Sequence, residues 1–432
     1  MAFRNKAVPG ADKFYPLNEP KIGASYSAEI YPQNHVLPKL FEPLTIKGVT
    51  FNNRIFVSPM CQYSSDNGHA TDWHLVHIGG FATRGAGAVT MEATAYVPEG
   101  RISPEDAGIW TDSQIAPLER IVKFAQSQGT KIGIQLAHAG RKASTQAPWV
   151  HGDIAHTWHA PNHVSSVEEG GWPENVYGPS EIPFSDKYPA PKPLTNENMT
   201  LLGEKLVAAI ERCKKAGFDF IELHFAHGYL AHTFLSPLSN TRTDEFGGQP
   251  LENRMRFPLQ IVRHARKEWS DKPLFVRISA CDWAEGPEKG ADGLWKQWGI
   301  MQSATFVQEL KNIGVDLVDV SSGGLWEQQK INVGPGYQVP FAEQLKKSVP
   351  DIIIGAVGMI TTPKQAESYL QDGKADVVYL ARELIRDPHW PMTAATELGV
   401  AIKPANQYER GWVQMLIPHA QTAEGRGKEQ GM

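Results

Sequence analysis

The chain has 432 residues, of which 41% are hydrophobic, and its formal net charge at pH 7 is −5. This composition can fill a large core and excludes a chain that is disordered throughout, and the mild negative charge does not indicate a nucleic-acid surface. Cys61, Cys213 and Cys281 are too few for a disulfide framework. No stretch has the apolar length of a signal peptide or a membrane span. We therefore expect a soluble, cytoplasmic protein that binds neither nucleic acid nor a membrane.

Eight short and mostly apolar segments follow one another along the chain, and most are separated by enough residues for a helix. Continuous apolar runs are typical of parallel strands that are buried on both faces. The clearest helical interval is 198–215, where apolar residues from Met199 to Cys213 share one face and Gly217 ends the pattern. The repeat predicts an α/β fold, a (β/α)8 TIM barrel, because a doubly wound sheet would need a glycine-rich dinucleotide turn and none follows Met60. The predicted strands are 54–60, 88–94, 131–137, 218–224, 273–279, 315–321, 352–358 and 375–381.

Three regions do not follow this repeat. Residues 1–38 form a proline-rich N-terminal arm, and the barrel at 39–395 is followed by a C-terminal segment, 396–432, whose tail from residue 413 has the composition of a disordered chain. The barrel also carries an insertion at 142–195, after its third predicted strand. The tryptophans of this insertion are Trp149, Trp158 and Trp172. A loop of this length is either functional or a surface decoration, and the sequence leaves both possibilities open.

Polar residues collect at the predicted C-terminal ends of the strands, where TIM barrels carry their chemistry. The most informative group follows the fourth strand and consists of His224, His227 and Tyr229. Two neutral imidazoles and a phenol can polarise a carbonyl oxygen and deliver a proton beside it. The same residues could instead be a metal pair, or histidines that are satisfied in the first turn of a helix.

The ends of the seventh and eighth predicted strands carry Gly358 and Arg382. Loops at these places in TIM barrels commonly bind phosphate, since glycine permits close backbone approach and arginine can bind two oxygens. We therefore predict a phosphate site there. The alternative for Arg382 is a salt bridge with Glu383 or Asp387.

Two polar residues interrupt otherwise apolar strands, Gln135 in the third and Arg277 in the fifth. A buried arginine needs an anionic partner, and a buried amide needs hydrogen bonds. A flat heterocycle with carbonyl and imide edges satisfies both, and arginine would stabilise the negative charge that a reduced flavin carries near N1 and O2. Alternatively, the two side chains bind each other's backbones as a polar pair of the core.

Cys61 lies at the end of the first strand beside Tyr63. It is either a thiol that tunes a nearby cofactor or an inert buried thiol. His74 and His77 fall on a predicted helix after this strand. We predict surface or supporting positions for both histidines, because no carboxylate pattern completes a metal site.

Long motifs lie at or beside these strand ends. They are Ser58–Tyr63 (SPMCQY), Gln135–Lys142 (QLAHAGRK), His224–Leu230 (HFAHGYL), Phe234–Asn240 (FLSPLSN) and Thr241–Arg254 (TRTDEFGGQPLENR). Together they resemble the old yellow enzyme family of FMN-containing, NADPH-dependent ene-reductases. Cys61 and the ending Tyr408–Trp412 (YERGW) resemble its thermophilic-like subclass. The resemblance covers about residues 39–412, apart from the insertion.

The resemblance implies a role for each candidate residue. FMN would be held by Ser58, Pro59, Met60, Cys61, Ala93, Gln135, Arg277, Gly358, Ala381 and Arg382. His224 and His227 would bind the carbonyl or nitro oxygen of the substrate, and Tyr229 would protonate its α-carbon. Tyr63 would line the substrate pocket, and Arg410 would reach into the active site of a neighbouring subunit. The active unit would then be a homodimer or homotetramer.

The chain departs from the family pattern at two motif positions. Phe225 lies between the histidines, where the family more often has a small residue, and predicts a narrower or reshaped pocket. Ala381 stands next to the phosphate arginine, where the family usually has glycine. The insertion and the tail after Trp412 have no counterpart in the resemblance.

The implied reaction is a ping-pong cycle in which NADPH and then an α,β-unsaturated carbonyl or nitro compound occupy the same place over FMN. The preference for NADPH rests on the resemblance alone. One alternative is a metal-dependent barrel hydrolase that uses His224, His227 and His138, although no carboxylate or bridging lysine completes its site. Another alternative is a flavin-binding redox sensor that acts through Cys61 without turnover.

Overall fold

A computed structural model describes residues 20–151 and 163–417. Within these ranges the strands are β1 (Leu44–Ile46), β2 (Val49–Phe51), β3 (Ile55–Val57), β4 (Ala88–Ala95), β5 (Lys131–Ala137), β6 (Tyr177–Gly178), β7 (Lys192–Pro193), β8 (Phe220–Phe225), β9 (Leu274–Ser279), β10 (Leu317–Ser321), β11 (Ile353–Ala356) and β12 (Val377–Leu380). The strands β3, β4, β5 and β8 to β12 form a closed parallel barrel, in which β12 pairs with β3. Each barrel strand overlaps one predicted strand, so the predicted TIM barrel is confirmed.

Helices follow the barrel strands and form an outer layer. They are α1 (Asp72–Ala82), α2 (Ile115–Ser127), α3 (Pro148–His151), α4 (Asn196–Ala216), α5 (Leu230–Leu235), α6 (Leu251–Glu268), α7 (Ile300–Ile313), α8 (Val339–Ser348), α9 (Pro363–Gln371), α10 (Arg382–Arg386) and α11 (Trp390–Glu397). The helix predicted at 198–215 is α4, which Thr195 caps by accepting a hydrogen bond from Asn198 N at 3.1 Å and which Gly217 ends at φ 88°. In the described part of the chain, no helix combines the length and the apolar character needed to cross a membrane.

An apolar plug closes the N-terminal end of the barrel. The hairpin of β1 and β2 places the ring of Phe51 at 4.8 Å from Phe56 and 5.9 Å from Phe220, measured between ring centroids. Phe220 in turn lies 4.7 Å from Phe275 of the next strand, and all four rings are fully buried. Because alternate residues of a strand face the same side, the residues two positions further along β8 and β9 also point into the barrel. The plug therefore separates solvent at this end from the polar residues above it.

The described part of the N-terminal arm is docked on the C-terminal segment. Gly23 N donates to Lys403 O at 2.8 Å. Asn34 binds both backbone groups of Ala401, donating to its carbonyl at 2.8 Å and accepting from its N–H at 2.9 Å. Residues 1–19 and 418–432, which include most of the tail predicted to be disordered, lie outside the described residues. The arm thus joins the first and last parts of the barrel.

The insertion packs against the C-terminal face of the barrel. The Trp172 Nε1 group donates to Glu99 O at 3.0 Å, in the loop after β4. The Trp149 ring stands edge-on to Tyr63 at 5.4 Å between centroids, and Trp158 lies outside the described residues. The described part of the insertion is therefore packed onto the loops that follow β3 and β4.

Candidate active site

A cavity of about 590 Å³ lies at the C-terminal end of the barrel, bordered by β3 and by β9 to β12. This volume is within the range of about 300–1,000 Å³ that is typical of ligand and cofactor pockets. From the predicted site residues, the lining contains Ser58, Pro59, His227, Arg277, Gly358, Ala381 and Arg382. Ala93 and Gln135 are register partners on β4 and β5, in the wall of the barrel. Met60 and Cys61 continue the loop that begins at Ser58.

The end of the cavity predicted to bind phosphate carries an unpaired arginine. Arg382 forms no ion pair with any residue in the described ranges. Glu383 instead binds Arg386, and Asp387 accepts hydrogen bonds from a backbone N–H and a threonine hydroxyl. Gly358, which lines the same cavity, has φ 122°, a conformation that favours glycine. The alternative salt bridge of Arg382 is not formed, so this cation is available to a ligand.

The loop after β3 is held by a buried glutamate. Glu92 of β4 accepts hydrogen bonds from Gln62 N at 2.5 Å and from His74 Nε2 at 3.0 Å. His74 is itself buried on α1. For this residue the prediction of a supporting position is therefore confirmed and that of a surface position is wrong. Tyr63 ends the loop in the left-handed region, at φ 48°. Such backbone strain in a non-glycine residue persists only where the surroundings impose it.

Gln135 and Arg277 are joined through carboxylates and not through each other's backbones. Gln135 Nε2 donates to Glu222 Oε1 at 2.7 Å, and Arg277 Nε donates to Asp319 Oδ2. All four side chains are buried in the barrel interior. Arg277 Nη2 and Ser58 Oγ are buried without a hydrogen-bond partner among the described residues, and both residues line the cavity. The cavity wall therefore contains donors that a bound ligand would satisfy.

His224, His227 and Tyr229 meet at the end of β8. The His224 ring lies 4.8 Å from the Tyr229 ring and 5.2 Å from the His227 ring, between centroids. Ala226 N donates to His224 Nδ1 at 3.4 Å, which leaves the ring proton on Nε2, and Nε2 has no partner in the described part of the chain. His227 Nε2 lies 2.7 Å from Ser321 Oγ and shares a hydrogen bond with it. His224 thus offers a free N–H, while Nε2 of His227 is engaged in a hydrogen bond with Ser321.

Burial fixes the protonation states of these groups. Burial, assisted by the charge of Arg277, lowers the pKa of both His224 and His227 well below the usual value, so both imidazoles are neutral. Burial raises the pKa of the Tyr229 phenol well above its usual value, which keeps its proton in place. The pKa of the Cys61 thiol is also raised well above its usual value by burial. A thiol without thiolate character does not support the redox-sensor alternative.

The loop that carries the histidines is locked by a buried His–Asp pair that sequence reasoning missed. Gly228 N donates to His232 Nδ1 at 3.0 Å, and His232 Nε2 lies 3.0 Å from Asp282 Oδ1. Asp282 also accepts a hydrogen bond from Ser236 Oγ at 2.6 Å. His227, in the same loop, has φ 60°, a conformation that costs energy in a non-glycine residue. Because His232 and Asp282 are distant in sequence, no local pattern pointed to them.

Lys142 is a second residue that sequence reasoning left without a role. Its Nζ donates to His227 O at 3.0 Å and to a second backbone carbonyl, and it lies 3.9 Å from the centre of the Phe184 ring. The same ammonium is 5.9 Å from the Tyr229 ring. Burial, followed by the charge of the adjacent arginine, lowers the pKa of Lys142 to about 7. The sequence signal for Lys142 was its position at the end of the motif Gln135–Lys142.

Tyr63 and Tyr229 belong to one small apolar cluster beside the cavity. Cys61 and Trp172 pack against the same cluster. In the described part of the chain neither phenol hydroxyl forms a hydrogen bond with another residue. Tyr63 and the candidate proton donor Tyr229 therefore share one apolar environment, and the pocket-lining role of Tyr63 stays a prediction.

The two departures from the family pattern do not obstruct the cavity. The Phe225 ring stacks on Phe306 of α7 at 6.4 Å, on the outer side of β8, and does not line the cavity. The expectation that Phe225 narrows the pocket is therefore not met. Ala381 has φ −114° and ψ −99° and lies in the lining of the cavity. Arg410 is exposed, in a short helical turn at 406–412, and does not line the cavity of its own chain.

The arrangement does not favour the metal-dependent hydrolase. Among the described residues, no group of three or more His, Cys, Asp or Glu side chains is placed to hold a metal ion. His138, the third ligand of that alternative, accepts a hydrogen bond from Gly140 N at 3.0 Å through Nδ1. Burial lowers the pKa of His138 to about 4. Among the described residues, the histidines therefore lack the additional ligands that such a metal site needs.

The residues present fit FMN in both chemistry and size. The buried, unpartnered donors of Ser58 and Arg277 match the acceptor atoms of a flavin ring, and the unpaired Arg382 matches a phosphate. Ser58 and Arg382 come from opposite sides of the β12–β3 junction, so one elongated ligand can contact both.

Comparison with known proteins agrees with this geometry. The model of the NADH:flavin oxidoreductase / NADH oxidase family matches residues 39–400, a range that includes the insertion. An NADH:flavin oxidoreductase of Gibberella zeae is 46% identical over 410 residues, which are 94% of this chain and 95% of that relative. The NADPH dehydrogenase of Bacillus subtilis is 44% identical over 376 residues, 87% of this chain and 99% of that relative.

Solved structures show the same fold. Morphinone reductase superposes with a TM-score of 0.67 at 24% identity, over 85% of this chain and 91% of that chain. A complex of 2-naphthoyl-CoA reductase gives a TM-score of 0.70 at 22% identity, over 83% of this chain, which spans about half of that longer protein (52%). The resemblance to the old yellow enzyme family is confirmed by the family match and the curated relatives. The chain belongs to the NADH:flavin oxidoreductase / NADH oxidase family and is an oxidoreductase that works with a flavin and a nicotinamide nucleotide.

Proposed function

We propose that this protein is an FMN-dependent NADPH dehydrogenase that reduces the C=C bond of α,β-unsaturated carbonyl or nitro compounds. The observation that carries the proposal is the arrangement at the end of β8. There, the neutral His224 imidazole with a free Nε2–H lies 4.8 Å from the protonated phenol of Tyr229, beside the cavity that Arg277 lines. A hydrogen-bond donor next to a proton donor is the pair that reduction of an enone requires.

The cofactor would be held along the cavity. Ser58 and Arg277 would donate hydrogen bonds to the ring system, and Arg382 with the backbone near Gly358 would bind the phosphate. FMN, when bound, supplies the chemistry that accepts two electrons from NADPH and passes them to the β-carbon of the substrate. The NADPH dehydrogenases among the relatives support NADPH as the electron donor.

The side chains of this protein would act on the substrate directly. His224 donates a hydrogen bond to the carbonyl or nitro oxygen, which stabilises the negative charge that develops there. His227 would add a second donor by exchanging its hydrogen bond with Ser321 for one to the same oxygen, and its strained backbone keeps the ring close. Tyr229 delivers its proton to the α-carbon, and burial prevents that proton from being lost beforehand.

An aromatic wall shields this chemistry from water. Tyr63, Trp149 and Phe184 stand around Tyr229 and Lys142. The Lys142 ammonium, fixed to two backbone carbonyls, places a titratable charge near the phenol. We propose that the exposed Arg410 completes the site of a neighbouring subunit, so that the active form is a homodimer or homotetramer.

The visible spectrum tests the function in one experiment. We expect purified protein to be yellow with bound FMN, to lose its colour when NADPH is added without oxygen, and to regain it when cyclohexenone follows. NADH in a parallel sample measures the nucleotide preference. A protein that does not take up FMN would overturn the proposed function.

Replacement of His224 tests the oxygen-binding role. We expect His224→Ala to lower the rate of enone reduction by about 10²- to 10³-fold, the usual cost of losing one donor to a developing oxyanion. FMN should remain bound, because His224 does not line the cavity. His35→Ala, at an exposed position, is the control. Stopped-flow absorbance measures the rate, and a wild-type rate in His224→Ala would show that the role is wrong.

Replacement of Tyr229 separates the two halves of the cycle. Tyr229→Phe keeps the ring and removes only the proton donor, so we expect reduction by NADPH to be unchanged. Reoxidation by the enone should slow by about 10²-fold or more, the usual contribution of a general acid. Both steps are read from the flavin absorbance in single-turnover mixing. Slow reduction with normal reoxidation would contradict the assignment.

Lys142 predicts a specific dependence of stability on pH. The pKa of Lys142 is about 7 in the folded protein, below the ordinary value of about 10.4 for an unfolded chain. The unfolded chain therefore holds this proton over a range where the folded protein has released it, and the free energy of unfolding rises with pH above 7. We expect wild type to gain stability relative to Lys142→Met as pH is raised, measured by urea unfolding. Lys123→Met, at an exposed position of α2, is the control, and a difference that does not change with pH would contradict the prediction.

A further inference from the structure

A layer of buried polar side chains crosses the barrel between the apolar plug and the cavity. This ion layer consists of Gln135 of β5, Glu222 of β8, Arg277 of β9 and Asp319 of β10. Two positions earlier on the last three strands stand the buried Phe220, Phe275 and Leu317. The ion layer therefore has an apolar floor, and Arg277 is the member that reaches the cavity.

The ion layer contains one cation and two carboxyl groups. Arg277 Nε donates to Asp319 Oδ2 and lies 3.9 Å from Glu222 Oε1. With both carboxyl groups ionised, the layer would carry a net negative charge in the interior, where an uncompensated charge is costly. It would also cancel the field through which Arg277 attracts an anionic ligand. One carboxyl group must therefore hold a proton for Arg277 to act as a cation toward the cavity.

Burial raises the pKa of both carboxyl groups, and the geometry assigns the proton to Glu222. Asp319 is in direct contact with the guanidinium, whereas Glu222 is the more distant partner. Burial, assisted by the charge of Asp319 and opposed by Arg277, raises the pKa of Glu222 to about 8. Glu222 Oε2 is buried without a partner among the described residues, so it is free to carry the proton of a carboxylic acid.

Among the described titratable groups of the ion layer and its neighbours, Glu222 is the one whose protonation state can change. The titratable side chains that face it are Arg277, Asp319, Tyr379 of β12 and, two positions along its own strand, His224. Arg277 keeps its charge, and burial holds His224 neutral. Burial, with the nearby carboxyl groups, raises the pKa of Tyr379 well above its usual value, and Tyr379 lines the cavity. The Tyr379 ring, 6.0 Å from the Arg277 guanidinium carbon, therefore lies between the ion layer and the cavity.

We propose that, at pH values where Glu222 is ionised in the oxidised protein, it takes up one proton from solvent when the flavin bound in the cavity gains two electrons, and returns it when the flavin is reoxidised. This inference rests on the proposed function. NADPH supplies the two electrons as hydride, which adds one negative charge to the cofactor, and the proton neutralises one negative charge on Glu222. Glu222 acts through Arg277 and touches neither the substrate nor the reacting atoms.

The direction of the effect follows from the charges. Below about pH 8, Glu222 is protonated in both oxidation states and contributes nothing to the redox equilibrium. Above that pH it is ionised in the oxidised protein, and the negative charge of the reduced cofactor draws a proton onto it. The pH dependence of the midpoint potential should therefore steepen with rising pH, from one proton to two protons for each pair of electrons.

The test measures the midpoint potential of the holoenzyme by spectroelectrochemistry across this pH range. Wild type is expected to steepen near pH 8, and Glu222→Gln, which has the shape of the neutral acid, is expected to keep one slope throughout. Lys123→Met is the control and should steepen like wild type, because Lys123 is exposed on α2, outside the ion layer. The same steepening in wild type and in Glu222→Gln would overturn the proposal.

An infrared titration gives a second readout on the protein itself. Wild type should show the C=O band of a buried carboxylic acid at pH 7 that disappears as the pH is raised past 8, and Glu222→Gln should lack it. Absence of this band in wild type would overturn the proposal even if the variant did not fold. A protein that takes up no FMN would overturn the proposed function, whereas a flavoprotein whose slope is the same in both proteins would overturn the Glu222 inference alone.

Discussion

The guanidinium of Arg277 stands inside a barrel whose floor is a stack of phenylalanine rings. A cation in that place is stable only because Asp319 contacts it directly and Glu222 and Gln135 complete its surroundings. One of its nitrogens is still unpartnered and belongs to a residue that lines the cavity. The site is therefore built around the compensated charge of Arg277, which keeps one nitrogen available to a ligand. The ends of the barrel strands bring the other polar side chains of the site to the same cavity.

Most of the architecture could be predicted from the sequence, because buried parallel strands and amphipathic helices leave strong local patterns. The continuous apolar runs and the face of the helix at 198–215 depend only on neighbouring residues. The positions of His224, His227 and Tyr229 followed from the same reasoning, since they come directly after a strand. Their convergence within about one ring diameter is what a strand end imposes on residues so close in sequence.

What the sequence did not reveal depends on distant parts of the chain. Glu222 and Asp319 interrupt apolar strands just as Arg277 does, so the sequence contains possible partners for its charge. From the sequence, the cofactor was instead predicted to be the anionic partner of Arg277. The lock between His232 and Asp282 joins helix α5 to the loop after β9 and has no local pattern. Phe225 was expected in the pocket, but the alternation of β8 turns it outward onto Phe306, because His224 on the same strand points inward.

The arm, which binds Ala401 through Asn34, joins the first and last parts of the chain at a second place, outside the barrel. The pairing of β12 with β3 already joins the last barrel strand to the first, and the contacts of Gly23 and Asn34 with the 401–403 segment repeat that closure on the outside. Neither end can peel away alone without first breaking contacts made by the other. The contacts of Gly23 and Asn34 therefore oppose local opening of the described arm and of the 401–403 segment together, so that neither opens independently of the other.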